Sequence, residues 1–159
     1  MGIEPFLIAS TVHTVIGQRL VRRLVPGGEA YTSNVAETQA IKDTLGMLLP
    51  ASEADIKNAS LDMGYETLPL SSQNAYTLMK GKEASTSPDG YKGRMGLYEV
   101  FEIDEAIQKL ILARSTSAEI QHAAQANGMV TMQQDGYLKA LAGQTSLAEV
   151  NRVASGDSA

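Results

Sequence analysis

The sequence contains no cysteine and no tryptophan, and it has only two phenylalanines among its 159 residues. Without a thiol, the chain can form no disulfide, no zinc site with cysteine ligands and no cysteine nucleophile. Aromatic residues make up 5% of the chain. Nucleic-acid binding depends on basic residues interleaved with aromatic ones, and that pattern does not occur here. Nucleic acid is therefore not an expected partner.

Long apolar runs are also absent. No stretch approaches the roughly 20 apolar residues that a membrane-spanning helix needs, and no charged and then apolar segment opens the chain as in a secretory signal. We therefore expect a cytoplasmic protein without a membrane span. Apolar residues amount to 43% of the chain, which still predicts a packed core with some polar segments.

The net charge of −5 is unevenly distributed. Residues 1–25 contain three arginines and one glutamate, whereas residues 26–89 contain nine carboxylates and four lysines. The middle segment thus carries the whole acidic excess. Such a segment argues further against a general nucleic-acid surface.

Residues 5–20 have the spacing of a helix. Pro5 suits a first helical turn. Apolar residues then recur at helical intervals, namely Ile8, Val12, Val15, Ile16 and Leu20. From Gln18 to Val25 the apolar residues are interspersed with arginines, which fits either more helix or a strand. The sequence Pro26-Gly27-Gly28 ends either one.

Residues 26–89 have the pattern of an insertion. A capping-box spacing predicts a helix over residues 35–45, and a second helical pattern follows over residues 53–63. Residues 75–79 fit a short strand. Residues 81–89 are polar and predict a mobile loop.

A basic, glycine-rich turn precedes a strand that ends at Ile103. The turn contains Gly90, Lys92, Gly93, Arg94 and Gly96. Met95, Leu97, Phe101 and Ile103 share one face of the strand, interrupted only by Glu99. Because an unpaired buried carboxylate is costly, we expect Glu99 to pair with an arginine of residues 19–23.

Four helical patterns follow in succession, each opened by a capping residue: Asp104, Thr116, Thr131 and Ser146. The last of them has capping-box spacing between Ser146 and Glu149. Residues 155–159 are expected to be disordered. The remaining candidates for chemistry have simpler interpretations. His13 and His122 are isolated, so we expect packed or surface side chains, and Met129 and Met132 are expected to fill the core.

Four segments carry a family likeness. They are MGIEPFLIAS at 1–10, QRLVRRL at 18–24, GYKGRMGLYEV at 90–100, and residues 128–150 with QDG at 134–136 and GQTSLAEV at 143–150. In this order, they resemble the C-terminal part of the type II secretion and type IV pilus assembly ATPases, the GspE/PulE/PilB group. The family protein is a hexameric ring that couples ATP hydrolysis to an inner-membrane platform protein.

The resemblance implies a fold class of α/β to α+β, rich in helix. Residues 1–25 would form the last helix and strand of a RecA-like core, and residues 90–103 would complete that core as an antiparallel strand. Residues 26–89 would correspond to the zinc-binding insertion of the family. Residues 104–159 would form a C-terminal helical subdomain.

The departures from the family are equally informative. The sequence has no G-x-x-x-x-G-K-[ST] loop to cradle phosphates and no strand-borne acid to position magnesium. We therefore expect a fragment that does not hydrolyse ATP by itself, with ATP and magnesium bound by the complete family protein. The four zinc-ligand positions are Val25, Gly28, Glu83 and Thr86, so zinc is not expected.

The resemblance places Arg94, and less directly Lys92 and Arg19, where they would contact nucleotide or a neighbouring subunit. A surface arginine is the simpler alternative for Arg94. For Arg19, Arg22 and Arg23 we favour a solvated strand face over a phosphate or subunit contact.

Two other functions remain open at this point. The chain could be a stand-alone binding module that docks on a full-length secretion ATPase without hydrolysing ATP. A small DNA-binding helical protein is the weaker option, and its binding would be salt-sensitive. The sequence does not distinguish a secretion system from a pilus or DNA-uptake system.

Overall fold

The computed structural model describes residues 4–65, 67–83 and 87–154, and these contain seven helices and four strands. In chain order they are α1 (Pro5–Thr11), β1 (Thr14–Leu24), β2 (Glu29–Thr32), α2 (Val35–Leu45), α3 (Glu53–Met63), β3 (Thr77–Lys80), β4 (Tyr91–Glu102), α4 (Glu105–Leu112), α5 (Ser117–Ala126), α6 (Met132–Leu141) and α7 (Leu147–Ala154). The mixed, helix-rich composition is confirmed. Part of the predicted mobile loop and the predicted disordered C-terminus, residues 84–86 and 155–159, lie outside the described residues.

The strands form two separate antiparallel pairs, β1 with β4 and β2 with β3. Beyond one end of the first pair, the Ile103 N–H donates to the His13 carbonyl at 2.8 Å, and beyond the other the Val25 N–H donates to Gly90 at 3.0 Å. In the second pair Glu29 lies opposite Lys80. None of the helices in the described ranges is long and apolar enough to cross a bilayer.

The helix predicted over residues 5–20 is wrong beyond Thr11. Val12 is already extended, with φ −90° and ψ 122°, and β1 starts at Thr14. Residues 12–16 include three β-branched apolar side chains, which fit a strand at least as well as a helix, and pairing with β4 decides between them. For residues 18–25 the strand alternative is the correct one.

The glycine-rich turn predicted before β4 is also wrong in part, because the strand already starts at Tyr91. Gly93 lies inside it at φ +77°, a conformation that favours glycine and is found at β-bulges. The predicted alternation is confirmed: Leu97 is buried, whereas Tyr98 and Val100 are exposed.

The helix boundaries predicted from capping residues are largely confirmed. Asn34 and Glu37 form a complete capping box, as do Thr116 and Glu119. Asp104 caps α4 by accepting the Ile107 N–H at 2.8 Å. These caps satisfy donors that the first helical turn leaves without intrahelical partners, which is why local sequence predicts them well.

The chain forms two compact units. The first contains the residues up to Gln18 together with Tyr98–Met132, and the second contains Arg19–Leu97 together with the residues from Gln133 onward. The core of the first unit consists of Ile103, Ile107, Ala124 and Met129. Helix α4 contacts both α1 and α5 around it. Met129 thus fills the core as predicted.

In the second unit, α6 comes very close to α7 and β4 at Gly136. A Cβ at this position would overlap the Val150 Cγ1 and lie 3.2 Å from the Leu97 Cδ1. Both neighbours are fully buried, at 0% exposure, so they have no solvent to move into. The glycine in the middle of this helix is therefore explained by packing rather than by backbone conformation.

Replacing Gly136 by alanine is expected to destabilise the protein by about 1–3 kcal/mol through overpacking. Helix propensity alone predicts the opposite sign, a gain of up to about 1 kcal/mol. Urea unfolding measures the difference, with the exposed Gln133→Ala in the same helix as control. A stabilised Gly136→Ala protein would contradict the close packing.

Candidate functional site

Arg22, on β1, is the centre of a polar cluster in the second unit. Its guanidinium donates to the Asp89 carboxylate and to the Glu149 carboxylate, both at 2.6 Å. The guanidinium carbon also lies 4.3 Å from the centre of the Tyr91 ring, which adds a cation–π contact. The Glu149 carboxylate raises the pKa of Arg22, so this side chain remains charged.

Glu149 is the buried member of the cluster, at 3% exposure. Its carboxylate accepts hydrogen bonds from the Arg22 guanidinium, the Arg22 backbone N–H at 3.2 Å and both Nε and Nη2 of Arg152. The Arg22 hydrogen bond, followed by that of Arg152, lowers the pKa of Glu149 to about 2. The carboxylate is therefore held ionised.

Glu149 was predicted only as a capping residue for α7. Half of that prediction is confirmed, since the Ser146 hydroxyl accepts the Glu149 N–H at 3.2 Å. The Glu149 carboxylate, however, is engaged with arginines. The pairing of a buried carboxylate with an arginine of β1, which the sequence suggested for Glu99, is thus found at Glu149.

Further hydrogen bonds attach the segment before α7 to β1. The Leu24 N–H donates to the Gln144 carbonyl at 3.0 Å, and the Thr145 hydroxyl donates to the Arg22 carbonyl at 2.8 Å. The Tyr91 hydroxyl shares a 2.7 Å hydrogen bond with Ser146. Residues 144–149 are therefore fixed along β1 and beside β4.

Arg19 and Arg23 have different surroundings. Arg19 is half-buried and donates to the Val153 carbonyl at 2.5 Å. Arg23 is exposed. The solvated strand face that we favoured for the three arginines therefore describes Arg23 alone, because Arg19 and Arg22 make contacts inside the second unit.

A cavity of about 440 Å³ lies at the end of β1. It is lined by Arg23, Leu24, Val25, Pro26, Gly27, Gly28, Met79, Lys92, Gly143 and Gln144. The structure thus brings Lys92 together with Arg23, a pair that the sequence did not suggest. Arg94 is exposed on β4 and is not among the lining residues.

Two of the four zinc-ligand positions, Val25 and Gly28, lie in the turn between β1 and β2. Glu83 is exposed, and Thr86 lies outside the described residues. Within the described ranges, no group of three or more histidine, aspartate and glutamate side chains could hold a metal ion. In the β2–β3 ladder of this segment, Glu29 lies opposite Lys80, and the two form an ion pair at 3.3 Å.

The remaining candidates lie in the first unit. His13 and His122 are both exposed. Glu99 is half-buried, and its carboxylate accepts the Met132 N–H at 3.4 Å within the first unit. Met132 is itself half-buried.

Replacing Glu149 by glutamine is expected to cost about 1.5–3 kcal/mol of unfolding free energy, because charge-assisted hydrogen bonds to two arginines are lost at a buried position. The control is Asp89→Asn, which removes the exposed partner of the same arginine and should cost less than about 1 kcal/mol. Equal losses of unfolding free energy for Glu149→Gln and Asp89→Asn would contradict the larger contribution of the buried carboxylate.

The same carboxylate predicts a pH dependence. The pKa of Glu149 falls from 4.5 to about 2 on folding. Its contribution to the free energy of unfolding is therefore present above pH 4.5 and is lost as the pH falls towards 2. Urea unfolding between about pH 6 and about pH 3 should therefore show a steeper loss of stability for the natural sequence than for Glu149→Gln. Parallel curves would contradict the lowered pKa.

Comparison with known proteins gives a consistent result. The family model described as "Type II/IV secretion system protein" matches residues 1–152. The type IV pilus assembly ATPase PilB of Thermus thermophilus is 35% identical over 150 residues, which cover 94% of this chain and 14% of the relative. The type II secretion system protein E of Aeromonas hydrophila is 33% identical over 96% of this chain and 25% of the relative.

A third relative, the type II secretion system protein E of Xanthomonas campestris pv. campestris, is 27% identical over 96% of this chain and 23% of its own length. The chain thus spans a quarter or less of these relatives. The family model covers nearly all of it, including Arg22, the cavity and the residues around Glu149. The chain belongs to the type II/IV secretion system protein family.

Proposed function

We propose that this chain acts as the C-terminal portion of a hexameric secretion or pilus-assembly motor ATPase. It contributes subunit packing and nucleotide-linked movement, and it does not hydrolyse ATP by itself. The observation that carries the proposal is the family match over residues 1–152 in a sequence that has no phosphate loop. ATP and magnesium are bound by the rest of the motor.

Arg94 is the residue of this chain that we assign to nucleotide or to a neighbouring subunit, followed by Lys92. Both side chains are exposed on β4 around the left-handed Gly93, and no salt bridge engages either of them within the described ranges. Arg19 is the weaker candidate, because it already donates to the Val153 carbonyl.

The first unit supplies surface for packing. Phe6 on α1 is 68% exposed and Ile16 on β1 is 64% exposed, with Tyr98 and Val100 also exposed on β4. Apolar side chains on the outward face of a strand pair support burial against a neighbour. In this proposal the strand pair completes a RecA-like core, and the assembled motor works in the cytoplasm at the inner membrane through a platform protein.

A chimera tests the proposal. The segment of the type IV pilus assembly ATPase PilB of Pseudomonas aeruginosa that matches this chain is replaced by this chain. That segment is 23% of the relative, and the two are 31% identical over 153 residues. We expect a ring of hexamer mass by light scattering and retained ATP hydrolysis, whereas the isolated chain with magnesium and ATP should show none. A folded chimera that stays monomeric would contradict the packing contribution.

Arg94→Ala in this chimera is expected to lower kcat by about tenfold or more with ring mass unchanged, as for loss of a charge-assisted contact. Arg114→Ala, which removes an exposed arginine of the first unit, is the control. Full activity of the Arg94→Ala chimera would contradict the assignment of Arg94 to nucleotide or to a neighbouring subunit. Binding of the isolated chain to intact PilB, without ring formation by the chimera, would favour the stand-alone module.

A further inference from the structure

The cavity at the end of β1 has walls that are fixed before any ligand binds. The Leu24 N–H is bonded to the Gln144 carbonyl, and the Val25 N–H is bonded to the Gly90 carbonyl, both at 3.0 Å. A Cβ on Gly143 would lie 3.2 Å from the Met79 side chain, so the two sides meet closely. A preformed cavity binds with a small ordering cost.

The charges around the cavity are unbalanced. Arg23 and Lys92 both line it, and the lining residues that the structure describes include no carboxylate. Within the described ranges, neither cation takes part in a salt bridge, although the chain as a whole carries a net charge of −5. The neighbouring Arg22 differs from Arg23, because its charge is neutralised by Asp89 and Glu149. The described residues of the lining therefore present two positive charges and no carboxylate.

The rest of the lining is mainly apolar. Val25, Pro26 and Met79 provide flat or flexible apolar surface, and Gln144 adds an amide. An inorganic anion would use the two cations only. A molecule with an apolar or planar body and a doubly charged anionic group would use both parts of the cavity. The phosphate monoester is the common biological group with that charge.

We propose that this cavity binds a small organic phosphate, with the phosphate between Arg23 and Lys92 and the organic body against Val25, Pro26 and Met79. Because the described part of the lining holds no carboxylate to bind magnesium, the phosphate charge is balanced by the two side chains, and binding does not require the metal. The residues named for this site all belong to this chain, and Lys92 is the one shared with the assignment above. The proposal itself does not depend on the motor.

The test is calorimetry on the whole chain in the presence of a chelator, with AMP and inorganic phosphate as probes. AMP should bind several-fold more tightly than phosphate, and magnesium should not improve its affinity. Amide NMR spectra should show shifts at Gly27, Gly28 and Gln144.

Arg23→Gln and Lys92→Gln should each weaken AMP binding by about tenfold or more. The matched control, Lys57→Gln on the exposed face of α3, should bind as the natural sequence does.

Several results would overturn the proposal. They are the absence of AMP binding up to about 5 mM, equal affinity for AMP and phosphate, dependence on magnesium, and a loss of binding in Arg94→Gln but not in Lys92→Gln. Binding of an acidic peptide without binding of AMP would also overturn it, in favour of a protein partner. Circular dichroism of each variant separates lost binding from lost folding. None of these outcomes bears on ring assembly by the chimera, so the two proposals can fail separately.

Discussion

The ion pair between Arg22 and Glu149 is the interaction on which the second unit depends. It joins β1 to α7 across 127 residues of sequence. Because Glu149 is buried, its carboxylate would be costly without a cation, and two arginines supply that charge. The Tyr91 ring stacks on the same guanidinium, so β4 is included in the cluster.

The position of the cavity follows from this cluster. The hydrogen bonds of Leu24 and Arg22 hold Gln144 and Thr145 along β1, and the cavity opens beside them. Arg22 and Arg23 are neighbours in sequence, but their side chains have different surroundings. Arg22 pairs with Asp89 and Glu149, whereas Arg23 lines the cavity and makes no salt bridge within the described ranges.

A strand ladder and a capped helix stabilise the described part of the segment between β1 and β4. The resemblance places the family's zinc-ligand cysteines at Val25, Gly28, Glu83 and Thr86, and none of these residues has a thiol. The ladder joins β2 to β3, with the Lys80–Glu29 pair at one end, and the capped helix is α2. That exposed pair contributes little by itself. The segment also buries Tyr76 and Leu78, together with Ile41 and Leu45 of α2.

The sequence by itself determined the caps and ends of most helices, because a capping side chain bonds to a backbone group within three residues. It also determined the alternation along β4 and the family, which rests on short strings in a fixed order. It could not decide that residues 14–24 form a strand, since apolar side chains there fit both periods until β4 pairs with them. Only the tertiary structure decided that Glu149, and not Glu99, forms the ion pair with Arg22, because a contact between residues 127 positions apart leaves no local pattern in the sequence.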